Sequence, residues 1–286
     1  AQPMGFYSPH TLVQDARRHG VDVRTPDLNR SAAGATLESG PAGEGVAAGP
    51  ALRMGLGSVR AIGADLAEAI AAGRPYASIE DLQRRIDPGR PAMEALATAG
   101  AFGCLPATDG AASGTPGRRE ALWTAGALAA TGPDRLAGVV TGAVPPPLPA
   151  MTAPEEARAD LWATGVSPDG HPTRFLRDRL AADGVLTAAD LRSVADGTKV
   201  VVAGVVTHRQ RPHTAGGTTF VNLEDETGLV NVVVSRGCWV RYRDVLGASA
   251  LVVRGRVEAV DGVVNVVAER VEPLGVRPPA RSRDFR

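Results

Sequence analysis

Residues 218–234 read Thr-Thr-Phe-Val-Asn-Leu-Glu-Asp-Glu-Thr-Gly-Leu-Val-Asn-Val-Val-Val. Two apolar, β-branched runs, Thr218–Glu224 and Leu229–Val234, flank Asp225-Glu226-Thr227-Gly228, and this arrangement predicts a β-hairpin. Upstream, Lys199–Val206 is a Val-rich run. Downstream, Ala250–Glu258 and Val263–Glu269 are two more candidate strands around an Asp261-Gly262 turn. Gly237–Leu246, between the third and fourth strands, has helical character. Five strands with a helix between the third and fourth match a small Greek-key barrel of the oligonucleotide-binding (OB) type over 197–275.

Composition changes at Gly197, and everything before it reads as short helices. Ser8-Pro9 starts a helix that Gly20 ends. Val21-Asp22-Val23 is a short strand, Pro26-Asp27-Leu28-Asn29 a turn, and 32–50 an Ala/Gly/Ser/Pro/Glu loop or partly disordered linker. Residues 51–104 are expected to be helical. A short element ends at Val59-Arg60-Ala61-Ile62-Gly63, Ala64–Ala72 follows, Ser78 caps a helix carrying Ile79, Leu82 and Ile86, and Arg90-Pro91 opens another up to Gly100. After a 105–118 linker comes a helix over Arg119–Ala130. Pro145-Pro146-Pro147 is a stiff connector, and Thr152 with Glu155 forms a capping box for a helix to about Trp162. Two further helices are expected near Phe175–Ala181 and Thr187–Val194. The organisation is therefore α+β and multi-domain: 1–50, a helical 51–130, a Pro-rich connector with helices over 131–196, the barrel over 197–275, and a mobile Pro/Arg-rich tail over 276–286.

The chain has 286 residues and a formal net charge of +0, with 31 basic and 31 acidic residues. This balance disfavours a general nucleic-acid coat or a histone-like protein and is compatible with a local basic groove. Lys199 is the only lysine. Aromatics make up 4% of the chain against 44% hydrophobic residues, so small apolar side chains must build thin cores. Cys104 and Cys238 supply neither a disulfide framework nor a four-ligand metal site. Ala1–Gly5 lacks the basic start of a secretory leader, and no apolar stretch reaches membrane-spanning length. The first residue is Ala1 rather than methionine, which leaves processing or a longer parent open.

Two places offer nucleic-acid contacts. At Ile62-Gly63-Ala64 a tight turn exposes backbone N–H groups at a helix start, where a DNA phosphate can sit without sequence reading, and Arg60 adds charge. An ordinary helix–helix turn is the alternative. Such hairpins usually carry a glycine on each side of the apolar residue, and here Ala61 takes the first position. In the barrel, Arg209 and Arg211 lie in the first loop, Phe220 and Asn222 on the second strand, and Trp239, Arg241, Tyr242 and Arg243 on the inter-strand helix. Arginines with stacking aromatics suit single-stranded DNA. Phe220 and Trp239 are equally readable as core, and the same face is equally readable as a protein-docking surface. The region 197–275 has 9 basic and 8 acidic residues. Glu224-Asp225-Glu226 is read as a solvated turn, not a metal site. His10 and His19 are read as structural or surface groups, and Asp15, Asp22 and Asp27 as too scattered for two-metal chemistry. No catalytic residue and no metal ligand is assigned.

Nearly the whole chain resembles the C-terminal part of bacterial C-family, replicative-type DNA polymerases, and the error-prone branch in particular. The resemblance rests on Pro3-Met4-Gly5-Phe6-Tyr7-Ser8-Pro9, Asp15–Gly20, Pro26–Asn29 with Ser31, Leu52–Leu56 with Val59–Gly63, and Leu96–Phe102. It extends through Trp162-Ala163-Thr164-Gly165 with His171-Pro172, Phe220–Gly228 and Val263–Ala268. It implies that 1–50 ends a fingers-like region whose Pro-Asp-x-Asn-x-Ser element is Pro26, Asp27, Asn29 and Ser31. It further implies that 51–104 is a duplex-contacting helix-hairpin-helix region, and that the barrel faces single-stranded template or accessory proteins. The family's palm aspartates and phosphoesterase-like domain have no counterpart here, and 32–50 keeps little of the family's sequence. The implied function is the DNA-binding and partner-docking portion of a damage-tolerant DNA polymerase, inert alone. Mg2+ belongs to the parent and not to this chain. The implied partners are DNA, an upstream palm, a sliding clamp and a Y-family-like accessory protein, in the cytoplasm and at the nucleoid. A non-catalytic OB module or a structural adaptor is the alternative.

Overall fold

The computed structural model describes residues 8–40, 49–106, 115–129, 144–168, 170–260, 262–275 and 283–285. The Pro3–Tyr7 part of the family-like motif, Asp261 of the expected turn, and most of the expected 105–118 linker and 276–286 tail lie outside them. The chain forms two compact units: His19–Pro168, and Ala1–Arg18 together with Asp169–Arg286.

The first helix, α1 (Pro9–Arg18), opens with the Ser8 hydroxyl accepting from the Thr11 amide at 3.1 Å. It belongs to the barrel unit, not to a 1–50 region. Long-range polar contacts to the β-hairpin decide this, and they are invisible in a local reading.

Within His19–Pro168, β1 (Asp22–Arg24) runs parallel to β3 (Pro50–Arg53), and β2 (Thr36–Ser39) pairs antiparallel with β3, in the order β1-β3-β2. The sequence reading expected only the first of these strands, with loop over 32–50 and helix from 51. Strands of three or four residues carry too little alternation to be read, and this sheet is held by charge. Glu38 on β2 accepts from Arg53 Nε at 2.6 Å and from Arg24 Nη1 at 2.7 Å. These bonds, Arg53's first, hold the Glu38 carboxyl down to about 2.

The helices follow the predicted punctuation. Helices α2 (Ala64–Ala72), α3 (Ile79–Ile86) and α4 (Arg90–Thr98) are separated by Gly73 and by Asp87-Pro88-Gly89. Ser78 caps α3 by accepting from the Asp81 amide at 3.0 Å. Helix α5 (Arg118–Ala129) and α6 (Ala153–Thr164) complete the unit, and the Glu155 carboxylate accepts from the Thr152 amide at 2.9 Å. Leu28, Leu56, Ile70, Leu82, Met93, Leu96 and Phe102 are fully buried in one core. Small residues such as Ala95, Ala97, Ala101 and Ala125 fill the space between helices, as the composition requires.

In the other unit, α7 (Arg177–Ala182) and a 3-10 turn at Asp190–Ser193 precede the barrel. The barrel is built from β4 (Lys199–Gln210), β5 (Thr219–Glu224), β6 (Leu229–Val234), helix α8 (Arg236–Arg241), β7 (Ala250–Val260) and β8 (Val263–Pro273). The order β5-β6-β8-β7-β4, closed by a β4–β5 pairing, gives five strands around one core. One step, β6–β8, is parallel. Long β4 makes the closure: Lys199–Val205 pairs with β7 and Val205–Gln210 with β5, across an irregularity between Val206 and His208. Gly204 lies at this crossing, where a Cβ would meet the Glu224 carbonyl oxygen at 2.7 Å, so only glycine fits. The expected tail is corrected in part, because β9 (Arg283–Phe285) pairs parallel with His208–Gln210. Beyond its β7 pairing, that edge of β4 is taken by β9.

Candidate nucleic-acid interface

A cavity of about 980 Å³ opens where the end of β4, the 211–218 loop and α8 meet. Arg209, Arg211, Arg236 and Arg243 line it, and no carboxylate is among its described lining residues. The Arg211 guanidinium lies 5.3 Å from the centre of the Trp239 ring, an attractive placement of a cation over an aromatic face. Arg211, Arg236 and Arg243 are exposed.

The predicted barrel residues separate here. Arg209 is 8% exposed, its Nε donates to the Leu246 carbonyl at 2.8 Å, and Nη2 donates to the Ala248 carbonyl. It braces the chain after α8, so its expected role as a loop-borne contact is corrected. Phe220, 40% exposed, and Asn222 alternate with buried Thr219 and Val221 along β5; neither they nor exposed Arg241 line the cavity. Sequence reasoning missed Arg236 and His213 as cavity residues. A signal for the first existed: Arg236, Trp239, Val240 and Arg243 recur at the spacing of one helical face.

In the helical unit, the Val59–Gly63 hairpin buries Ile62 at 6% exposure and leaves Arg60, Ala61, Gly63 and Ala64 exposed. A 3-10 turn, Leu56–Ser58, stands where the first helix was expected. The left-handed residue is Ala61, with φ 62°, while Gly63 is extended at φ −77° and caps α2. The left-handed residue of the turn thus falls one position before the buried isoleucine.

Pro26, Asp27, Asn29 and Ser31 do come together, as a bracing frame. Asp27 Oδ1 accepts from the Asn29 and Arg30 amides, both at 2.9 Å. The Asn29 amide side chain donates to the Tyr76 carbonyl at 2.9 Å and accepts from the Tyr76 amide at 2.8 Å. The Ser31 hydroxyl donates to the Met54 carbonyl at 2.7 Å and accepts from the Asp27 amide at 3.0 Å. Pro26 is buried beside them.

Curated relatives align with the whole chain. Error-prone DNA polymerases from Mycolicibacterium paratuberculosis and Mycobacterium tuberculosis are each 53% identical over 291 aligned residues, covering 100% of this chain and 25% of the relative. The chain is related, over its whole length, to error-prone DNA polymerases. It spans about a quarter of their length. The error-prone DNA polymerase of Corynebacterium efficiens is 48% identical with the same coverage. Residues 20–112 match a helix-hairpin-helix motif family, and residues 200–274 match an OB-fold nucleic acid binding domain. The asparaginyl-tRNA synthetase structure from Pyrococcus horikoshii is 25% identical over 31% of this chain and 22% of that one, at a TM-score of 0.28.

In this error-prone-polymerase relative, the Glu224-Asp225-Glu226 turn is not solvated. Glu224 and Asp225 are each 1% exposed. Asp225 Oδ1 accepts from the Thr227 amide at 2.7 Å and the Gly228 amide at 2.9 Å, and Oδ2 accepts from the Ala188 amide at 2.8 Å. Arg177 and Thr173 hold Glu226. Glu224 accepts from Thr11 and pairs with Arg18 at 3.6 Å. Burial of Glu224 pushes its carboxyl pKa upward. His10 stacks on His171 with centroids 5.7 Å apart. Burial, helped by Arg18, lowers His10 to about 4, and burial, helped by His10, lowers His171 to about 3. These groups join α1 and the 171–177 segment to the hairpin. Among the described residues, no three His, Cys, Asp or Glu side chains converge as a metal site, and no helix is long and apolar enough to cross a membrane.

Proposed function

We propose that this chain grips DNA on behalf of an error-prone polymerase, with single-stranded template in the arginine-lined cavity of the barrel and duplex at the Val59–Gly63 hairpin. The Arg211–Trp239 stack inside a cavity with exposed Arg211, Arg236 and Arg243 and no described carboxylate carries this reading. Guanidinium groups neutralise phosphates, and an indole offers a face to an unstacked base. The parent reaction is attack of a primer 3′ hydroxyl on an incoming nucleotide, during synthesis across damaged template in the cytoplasm, at the nucleoid. Its two Mg2+ ions do not fit the acidic turn: Glu224, Asp225 and Glu226 are committed to Thr11, Arg18, backbone amides and Arg177. The bond-making carboxylates are assigned to a palm outside these residues. A sliding clamp and a Y-family-like accessory protein complete the proposed assembly.

Anisotropy titrations with single-stranded and primed DNA across salt concentrations test the reading. Binding on the order of 10⁻⁶ M at physiological salt is expected, weakening steeply as salt rises; no binding at low salt overturns it. Primer extension by the purified chain, abolished by a chelator, overturns the assignment of the chemistry elsewhere. Val240, 70% exposed at the cavity rim, favours a second reading, in which the same surface docks a protein. Salt-insensitive capture of the accessory protein without DNA affinity selects that one.

A further inference from the structure

Helix α6 holds Arg60 in two ways. The Arg60 backbone N–H donates to the Ala163 carbonyl at 2.7 Å, and its guanidinium carbon lies 5.0 Å from the centroid of the Trp162 ring. Trp162 is 43% exposed although its neighbour Ala163, at 1%, belongs to the helical core. An indole left on the surface beside a core position is an unusual use of so large an apolar group. The helix carrying it is firmly placed, because Asp160 accepts from Arg118 Nη1 at 2.6 Å and Gly165, at φ 72°, ends the helix directly after this pair. It also lies beyond the helix-hairpin-helix region.

The hairpin needs such help. Exposed Asp65 and Glu68 stand in the first turns of α2 and oppose a phosphate at the helix start. An arginine already stacked on an indole has given up much of the rotamer freedom that it would otherwise lose on meeting DNA. We propose that Trp162 is a positioning residue for duplex binding: it holds the Arg60 guanidinium at the hairpin and presents its own exposed ring to the sugar or base beside the phosphate that Arg60 meets. This rests on the DNA-binding reading above.

The test uses the full chain and a primed duplex. Trp162→Ala should weaken binding about three- to tenfold, and Trp162→Phe, which keeps a ring, should weaken it less. Arg60→Ala should weaken binding and reduce the salt slope by about one. The double variant should lose less than the product of the two single losses, since Trp162 acts partly through Arg60 and partly through its own ring. In a Trp123→Phe/Trp239→Phe background, saturating duplex should shift the emission of Trp162. Unchanged affinity in Trp162→Ala, multiplied losses in the double variant, or an unmoved emission each overturn the proposal. If Trp162→Ala lowers the urea midpoint, the Trp162→Phe affinity and the emission shift decide instead. A wild-type chain that binds no DNA removes the underlying reading as well, whereas wild-type binding that ignores Trp162 removes only this one.

Discussion

The Thr11 hydroxyl donates to the buried Glu224 carboxylate at 2.9 Å, joining the first helix to a residue 213 positions later at the end of β5. Arg18 reaches the same carboxylate from the last turn of α1. Glu224→Ala should therefore destabilise the chain by about 2–3 kcal/mol, because it strands a buried hydroxyl and a guanidinium. Glu224→Gln keeps an acceptor for Thr11 and removes the buried charge, so its cost at neutral pH should stay under about 1 kcal/mol. Urea denaturation of both variants measures the difference; equal losses would contradict this account of the contact.

Acid should loosen the His10–His171 stack. Both rings sit below a free imidazole's pKa of about 6.5, at about 4 and about 3. As pH falls below about 6.5 the unfolded chain takes up protons that the folded one refuses, so the contribution is complete above that pH and fades towards pH 4 and then 3. Arg18 and Arg177 reinforce this direction at His171, while nearby Glu226 opposes it. Glu224, with its raised pKa, works in the opposite sense and recovers part of the loss as pH falls. The urea midpoint should drop from pH 7 to pH 5, and His10→Phe should flatten the drop. A pH-independent midpoint would contradict the buried, neutral pair.

Ala61 occupies a left-handed conformation on an exposed turn. That conformation costs an L-residue about 1–2 kcal/mol, and glycine's added freedom when unfolded returns about 0.5–1 of it. Ala61→Gly should raise stability by about 0.5–1 kcal/mol, and Ala61→Val should lower it. Thermal melts of the two variants give the comparison.

Arg209 and Arg211, two residues apart, should behave as opposites. Arg209→Ala leaves the Leu246 and Ala248 carbonyls without their donor and should cost about 2 kcal/mol of stability. Arg211→Ala should leave stability within about 0.5 kcal/mol, weaken single-stranded DNA binding and lower the salt slope by about one. A folded, stable Arg209→Ala with selectively lost DNA binding would reverse the assignment.

The barrel was legible because its signals are local. The strands flanking Asp225–Gly228 and the helical segment before Ala250 each declare themselves within a dozen residues, and their order admits few topologies. The helix caps at Ser78 and Thr152 and the stops at Gly73 and Gly100 were equally readable. The short β1-β3-β2 sheet was not, since a four-residue strand such as Thr36–Ser39 owes its place to Glu38 meeting Arg24 and Arg53.

For the candidate interface, chemistry by itself singled out arginines and aromatics near the end of β4 and on α8, and the family likeness came from the order of short motifs along the chain. Which of those groups faces a ligand was a tertiary decision. Arg209 turned inward because carbonyls near 246–248 awaited a donor, and Phe220 took the other face of β5 because alternation buries Thr219 and Val221. The acidic turn was drawn under α1 by Thr11 and Arg18. Periodicity and turn chemistry act between neighbours in sequence, whereas the burial of a charge depends on partners that only folding brings within reach.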